Sequence, residues 1–362
     1  MKLHQKFGLI LSTISLLSFM SYANAETKVI ASIKPLHSLV SYVMDGVGTP
    51  GILVDGSSSP HTFQLKPSHA TMLQEADIVF WIGEDLESFL ETPLESIAAN
   101  SRHITLMESD EIELLKFREK HIFGGHDDHD DHGDEHDEHD EHADEHGDEH
   151  DEHADEHGDE HDEHADEHGD EHDEHDEHAD EHGDEHDDHH DGHAHGEHDI
   201  HFWLDPEIAK TIVKIVTREL SELDPTNAST YKSNSAKALN EINQLISDAK
   251  SKINKDAKYV VFHDAYQYFE KRFGVEVIGA LTVNPEVLPG AKQLAEIREV
   301  IEHENVNCLF SEPQFNPSIA ETIAKDTGVK AAVLDPLGAE LEPGKDLYFD
   351  LIGDIASSFE SC

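Results

Sequence analysis

Apolar and polar positions along residues 27–120 alternate between two periods. Short apolar runs at 28–33, 52–54, 77–82 and 102–106 predict strands. Stretches of helical spacing at 36–44, 67–76 and 86–98 predict helices. The run D-I-V-F-W-I at 77–82 is continuously apolar, the pattern of a strand buried on both faces. Pro67 opens its helix, where a missing N–H is harmless. Order resumes at Ile200. Residues 206–223 predict a helix with Asp205 as N-cap, and Asp224-Pro225 ends it. Residues 227–254 contain no Pro or Gly and space Leu239, Ile242, Leu245, Ile246 and Ile253 as one long helix. A second series follows, with strands at 259–262, 275–278, 307–310 and 329–334. Its helices lie at 265–273, 291–304 and 317–326, with a last one running to Cys362. Strands alternating with helices predict an α/β fold: two (β/α) lobes with parallel sheets, joined by a long backbone helix.

One segment has neither period. Residues 126–198 hold 23 of the 32 histidines and 38 acidic residues, with no Lys or Arg. The repeat A-D-E-H-G-D-E-H-D-E-H begins at Ala143, Ala154 and Ala165. An 11-residue period can signal a right-handed coiled coil, but no repeat position carries a large apolar residue, so there is no seam to bury. With too few apolar side chains to offset chain ordering, the tract is expected to be a disordered loop. Its imidazoles and carboxylates read as metal binding, a low-affinity collector of divalent cations.

The predicted organisation is a signal peptide at 1–25, a first lobe at 26–120 plus 199–225, the His/Asp/Glu-rich loop at 126–198, a linking helix at 226–255 and a second lobe at 256–362. Lys2 and Lys6 precede the apolar stretch 7–20, which is too short for a membrane span, and Ala23-Asn24-Ala25 reads as a cleavage site. No Cys stands at the cleavage site, where Glu26 follows Ala25, so the exported chain is expected in the periplasm without a lipid anchor. Of the net charge of -55 the tract carries -38, and the remainder still has 42 acids against 25 bases. Such a chain repels phosphate, which argues against nucleic-acid partners and for metal cations. Its two cysteines, Cys308 and Cys362, can form one bridge in an oxidising compartment or remain separate thiols.

Four residues outside the tract sit where α/β proteins place ligands. His61 follows the 52–54 strand in S-S-S-P-H-T-F. His201 lies in D-I-H-F-W-L-D-P before a helix. His263 ends Y-V-V-F-H, and Asp335 begins D-P-L-G at the end of a strand. Three imidazoles and a carboxylate suit tetrahedral Zn²⁺. His37, His69, His103 and His303 lack that placement and read as ordinary helix or surface residues. Three imidazoles plus water would also suit a hydrolytic zinc enzyme, but the chain lacks H-E-x-x-H and sets no general base beside the histidines. A periplasmic zinc buffer or chaperone without a transporter is the other alternative, and it rests on the tract.

Eight motifs carry a family resemblance: V-I-A-S-I-K-P-L at 29–36, P-H-T-F-Q-L-K-P-S at 60–68, A-D-I-V-F-W-I-G at 76–83, H-F-W-L-D-P at 201–206, V-F-H-D-A-Y-Q-Y-F-E-K-R-F-G at 261–274, T-V-N-P-E-V-L-P-G-A at 282–291, S-E-P-Q-F at 311–315 and L-D-P-L-G at 334–338. They resemble the zinc-specific, ZnuA-type solute-binding proteins of bacterial ABC zinc importers. The resemblance implies zinc in an inter-lobe cleft, His61, His201 and His263 as ligands, and Asp335 at the second lobe's acidic position. It implies a monomeric, non-enzymatic protein that delivers Zn²⁺ to an inner-membrane permease with a cytoplasmic ATPase. It also implies a Cys308–Cys362 disulfide. Manganese-binding relatives tend to carry Glu where this chain has His263, and imidazole favours zinc. Some zinc members have Glu before the first ligand where this chain has Pro60, which leaves the fourth position to Asp335 or water.

Overall fold

In a computed structural model the described residues are 27–123, 196–285 and 287–362. The predicted signal peptide and nearly all of the tract lie outside them. The first lobe runs β1 (Val29–Ile33), α1 (Lys34–Val43), β2 (Gly51–Val54), α2 (Pro67–Glu75), β3 (Ile78–Trp81), α3 (Glu91–Ser96) and β4 (Arg102–Thr105). Then come α4 (Pro206–Leu223) and the 25-residue α5 (Ala228–Lys252). The second lobe runs β5 (Lys258–His263), α6 (Gln267–Phe273), β6 (Glu276–Thr282), α7 (Ala291–His303), β7 (Cys308–Ser311), α8 (Ser318–Thr327), β8 (Lys330–Val333) and α9 (Leu347–Ser361).

Both sheets are parallel and share one topology, β2-β1-β3-β4 and β6-β5-β7-β8. The apolar strands feed two layers with period two. Ala31, Ile33, Ile78 and Phe80 face the central core, while Ile30, Leu53, Val79 and Trp81 pack beneath α2 and α3. In the second lobe Tyr259, Val261 and Phe310 join the central core, and Val260, Phe262 and Leu309 pack against α7 and α8. The central core is continuous through α4, α5 and α9, so one hydrophobic layer serves both lobes.

Several elements depart from the sequence pattern. The helix expected at 86–98 splits into a 3-10 turn, Ser88–Leu90, and the short α3. Pro93 has no N–H for the carbonyl four residues back, so a helix through 89–93 would lose a bond and clash. The strand expected at 275–278 runs on to Thr282. His37 is a helix residue as expected, buried in α1 with its Nε2 3.1 Å from the Pro50 carbonyl. Cys308 and Cys362 form a disulfide that fastens the end of α9 to β7.

The segments flanking the tract do not stay within the first lobe. Residues 115–117 pair antiparallel with 197–199: the Phe117 amide donates to the Glu197 carbonyl (3.1 Å) and the Asp199 amide to the Leu115 carbonyl (2.8 Å). The outgoing leg then crosses to the second lobe. Ile122 pairs antiparallel with Gly279, and the Phe123 amide donates to the Ile278 carbonyl (2.9 Å). A Cβ at Gly279 would come within 3.0 Å of the His121 carbonyl, so glycine makes room for this leg. The returning leg passes the first lobe at Gly196, where a Cβ would collide with the Asp85 carboxylate.

Candidate metal centre

Three chain segments bring imidazoles to one point. Pro60 fixes the start of a 3-10 turn, Pro60–Thr62, just beyond β2, and His61 is its middle residue. His201 precedes a second 3-10 turn, Phe202–Leu204, whose buried side chains anchor it ahead of α4. Asp205 caps α4 by accepting the Glu207 amide (2.8 Å) and is held in turn by Arg272 (2.6 and 2.7 Å). His263 is the last residue of the buried central strand β5. The ligand nitrogens of the three rings lie within 4.8 Å of one another. His201 and His263 are 6% and 3% exposed, and His61 is half-buried. Trp203, Phe315 and Leu337 close the surrounding cleft.

Two carboxylates stand behind the rings. His201 Nδ1 lies 2.8 Å from Asp199 Oδ1, and His263 Nδ1 lies 2.8 Å from Glu312 Oε1. Each carboxylate also accepts the backbone N–H of its histidine, at 2.9 and 3.3 Å. A carboxylate on Nδ1 keeps the ring proton there and directs the Nε2 lone pair inward, the arrangement common in histidine metal ligands. The Nε2 atoms of His201 and His263 are 3.3 Å apart. Two nitrogens each about 2.0–2.1 Å from a tetrahedral Zn²⁺ stand about 3.3 Å apart. The donor set therefore fits zinc in both type and spacing. Burial holds the His201 imidazole well below its ordinary pKa, with His263 adding to the effect, which keeps it in the neutral form a metal requires. Burial also pushes Asp199 up to about 7, against the opposing pull of the His201 amide and Arg118.

The fourth predicted residue, Asp335, is engaged within its own turn. Its carboxylate accepts the amides of Leu337, Gly338 and Ala339 and the Gln314 side chain, and it is not part of the histidine group. It shapes the turn after β8. That turn meets the first lobe, with Pro336 accepting from Trp203 Nε1 (2.9 Å) and Ala339 and Leu341 accepting from the buried Lys34 ammonium (3.0 and 2.6 Å). Asp199 and Glu312 were the functional residues that sequence reasoning missed. The D-x-H spacing at 199–201 held a signal for the first; Glu312, 49 residues from His263, had none in local spacing.

Among known proteins, residues 29–362 match the family described as zinc-uptake complex component A, periplasmic. The chain is 41% identical over 345 residues to the high-affinity zinc uptake system protein ZnuA of Brucella abortus (strain 2308), covering 94% of this chain and 93% of that one. It is 41% identical over 354 residues to the protein of that name from Haemophilus influenzae, covering 96% of each. Among solved structures, one described as a crystal structure of ZnuA aligns with a TM-score of 0.66 at 21% identity, covering 93% of this chain and 99% of that one. A zinc-bound ZnuA deletion mutant aligns at 0.64 and 20%, covering 93% and 97%. The two-lobe fold is shared with both. By the match over 29–362 and the identity to these relatives, the chain belongs to the family of periplasmic A components of zinc-uptake complexes.

Proposed function

We propose that this chain captures Zn²⁺ on His61, His201 and His263 and delivers it to an inner-membrane permease driven by a cytoplasmic ATPase. The observation that carries the reading is the 3.3 Å separation of two buried Nε2 atoms, each backed by a carboxylate on Nδ1. Water takes the fourth position, since Asp335 is engaged by its own turn. Zinc here is cargo and not a catalyst. The carboxylates Asp199 and Glu312 sit on the far side of the rings from Nε2, where neither could serve a zinc-bound water as general base. The protein works as a periplasmic monomer exported by the segment 1–25.

The tract serves as a weak multi-site collector. Its sequence offers many donors but few apolar side chains to hold them in place, so ion binding is expected to cost chain ordering. Chelator competition on the exported chain tests the cleft. The parent holds one tight Zn²⁺. His61→Ala, His201→Ala and His263→Ala each weaken it by more than the about 10–100-fold that losing a supporting hydrogen-bond partner costs. Tight binding surviving all three changes would refute the site. Calorimetry after deletion of 126–194 tests the collector: fewer weak ions with the tight one kept supports it, and unchanged stoichiometry rejects it.

A further inference from the structure

The proposed zinc site does not account for a second buried charge cluster beside it. Arg118, on the leg that enters the tract, holds two carboxylates of the second lobe. Its Nε and Nη2 donate to Asp264 Oδ2 and Oδ1 (2.9 and 2.5 Å), and its Nη1 and Nη2 to Glu270 Oε2 and Oε1 (3.2 and 2.7 Å). The Asp264 side chain is 2% exposed and that of Glu270 13%. The Phe123 ring lies 3.8 Å beneath the guanidinium and limits its movement. The leg carrying Arg118 is itself pinned: Tyr268 Oη bonds the Leu115 amide (2.8 Å) and the Asp199 carbonyl (2.7 Å), and the Gln267 side chain donates to the Lys116 carbonyl (3.2 Å).

Asp264 directly follows His263, and the chain turns there from β5 toward α6, with the Ala265 amide donating to the His263 carbonyl (2.9 Å). The geometry points to Arg118 as a positioning residue for the metal site: its fork on Asp264 fixes the backbone leaving β5 and so sets the His263 ring against His201. A planar guanidinium grips a carboxylate by two parallel bonds and fixes its plane as well as its charge. Without it, two buried carboxylates face each other uncompensated and must turn toward water, carrying the residue after His263 with them. The same ribbon places Asp199 on His201, so one strap at the root of the tract supports two of the three imidazoles. This inference rests on His263 being a zinc ligand.

The test compares parent, Arg118→Met, Arg118→Lys, Glu270→Gln and His263→Ala in the full exported chain. Zn²⁺ affinity at the tight site is measured by chelator competition, and the visible bands of the first equivalent of Co²⁺ report ligand geometry. Arg118→Met is expected to weaken Zn²⁺ by about tenfold or more and to shift the Co²⁺ bands. Arg118→Lys keeps the charge but cannot fork, so it recovers thermal stability while its Co²⁺ bands stay displaced. Glu270→Gln, which leaves the Asp264 fork intact, keeps the parent bands. Parent affinity and parent bands in Arg118→Met, with only thermal stability lowered, would overturn the proposal. If the Met variant does not fold, the Lys variant decides, and parent bands there overturn it. Parent-like binding in His263→Ala would instead overturn the ligand assignment, and this inference with it.

Discussion

His201 Nδ1 and Asp199 Oδ1 lie 2.8 Å apart, both buried, at the point where the returning leg of the tract meets the cleft. The carboxylate fixes which ring nitrogen carries the proton and which faces the ion. Asp199→Asn keeps the shape but presents an amide that can aim N–H at Nδ1 and reverse the tautomer. Zn²⁺ affinity should fall by about 10–100-fold with the fold intact. Chelator competition and circular dichroism on one sample check this, and unaltered affinity would remove Asp199 from the site.

Asp335 should behave as a structural residue. Asp335→Ala removes an acceptor shared by three amides and the Gln314 side chain, and it loosens the turn whose carbonyls hold Lys34. Hydrogen bonds to charged groups contribute about 1.5–3 kcal/mol each, so a loss of at least about 2 kcal/mol in urea unfolding is expected, with one tight zinc retained. Loss of that zinc at unchanged stability would instead identify Asp335 as a ligand.

His263→Glu should move relative affinity from zinc toward manganese, since an oxygen donor replaces imidazole. The new carboxylate would also face Glu312, which now lies 2.7–2.8 Å from Nδ1. Both metals should bind weakly until Glu312→Gln is added to relieve the like-charge contact. Competition titration of the single and double variants reads both effects, and a constant zinc-to-manganese ratio would exclude His263 as the selecting residue.

Stability should fall as pH rises through one buried carboxyl. Burial raises Glu87 from 4.5 to about 7, only partly offset by the amides of Ile82 and Gly83. Below about pH 4.5 the group is protonated in both states and imposes no penalty. Between 4.5 and 7 the unfolded chain ionises while the folded one does not, so folding weakens. Above 7 the loss is complete, about 3 kcal/mol. Glu87→Gln should therefore be close to neutral at pH 5 and stabilising at pH 8 in urea unfolding. An equal difference at both pH values would contradict this.

Much of this was legible in the chain because period and burial agree there. Long α4 and α5 follow from unbroken helical spacing, and the convergence of His61, His201 and His263 from their positions beyond β2, before α4 and at the end of β5. Asp335 stayed open in the sequence because an Asp at a strand end carries one signal for two roles, metal ligand and acceptor of turn amides. Glu312 and Arg118 were invisible, because their partners are distant in sequence: the β5–β7 pairing brings Glu312 to His263, and the leg bridged at Lys116 and Ile122 brings Arg118 to Asp264. The antiparallel ribbon was hidden by its neighbour: beside so biased a tract, residues 115–123 carry little pattern of their own.

The lobes are joined in several places at once: by α5, by the leg ending at Phe123, by the Lys34-held turn and by α9, whose Tyr348 bonds both Ser38 and Trp203. A frame tied at so many points offers few soft modes along which the imidazoles could separate. At the proposed site an ion between them would then escape slowly on its own, and slow escape is where tight affinity mostly resides. On that reading the work of dissociation would come from outside the molecule. The transport cycle would thus depend on a membrane partner that pries at these ties, with ATP hydrolysis behind it supplying the energy that spontaneous release lacks.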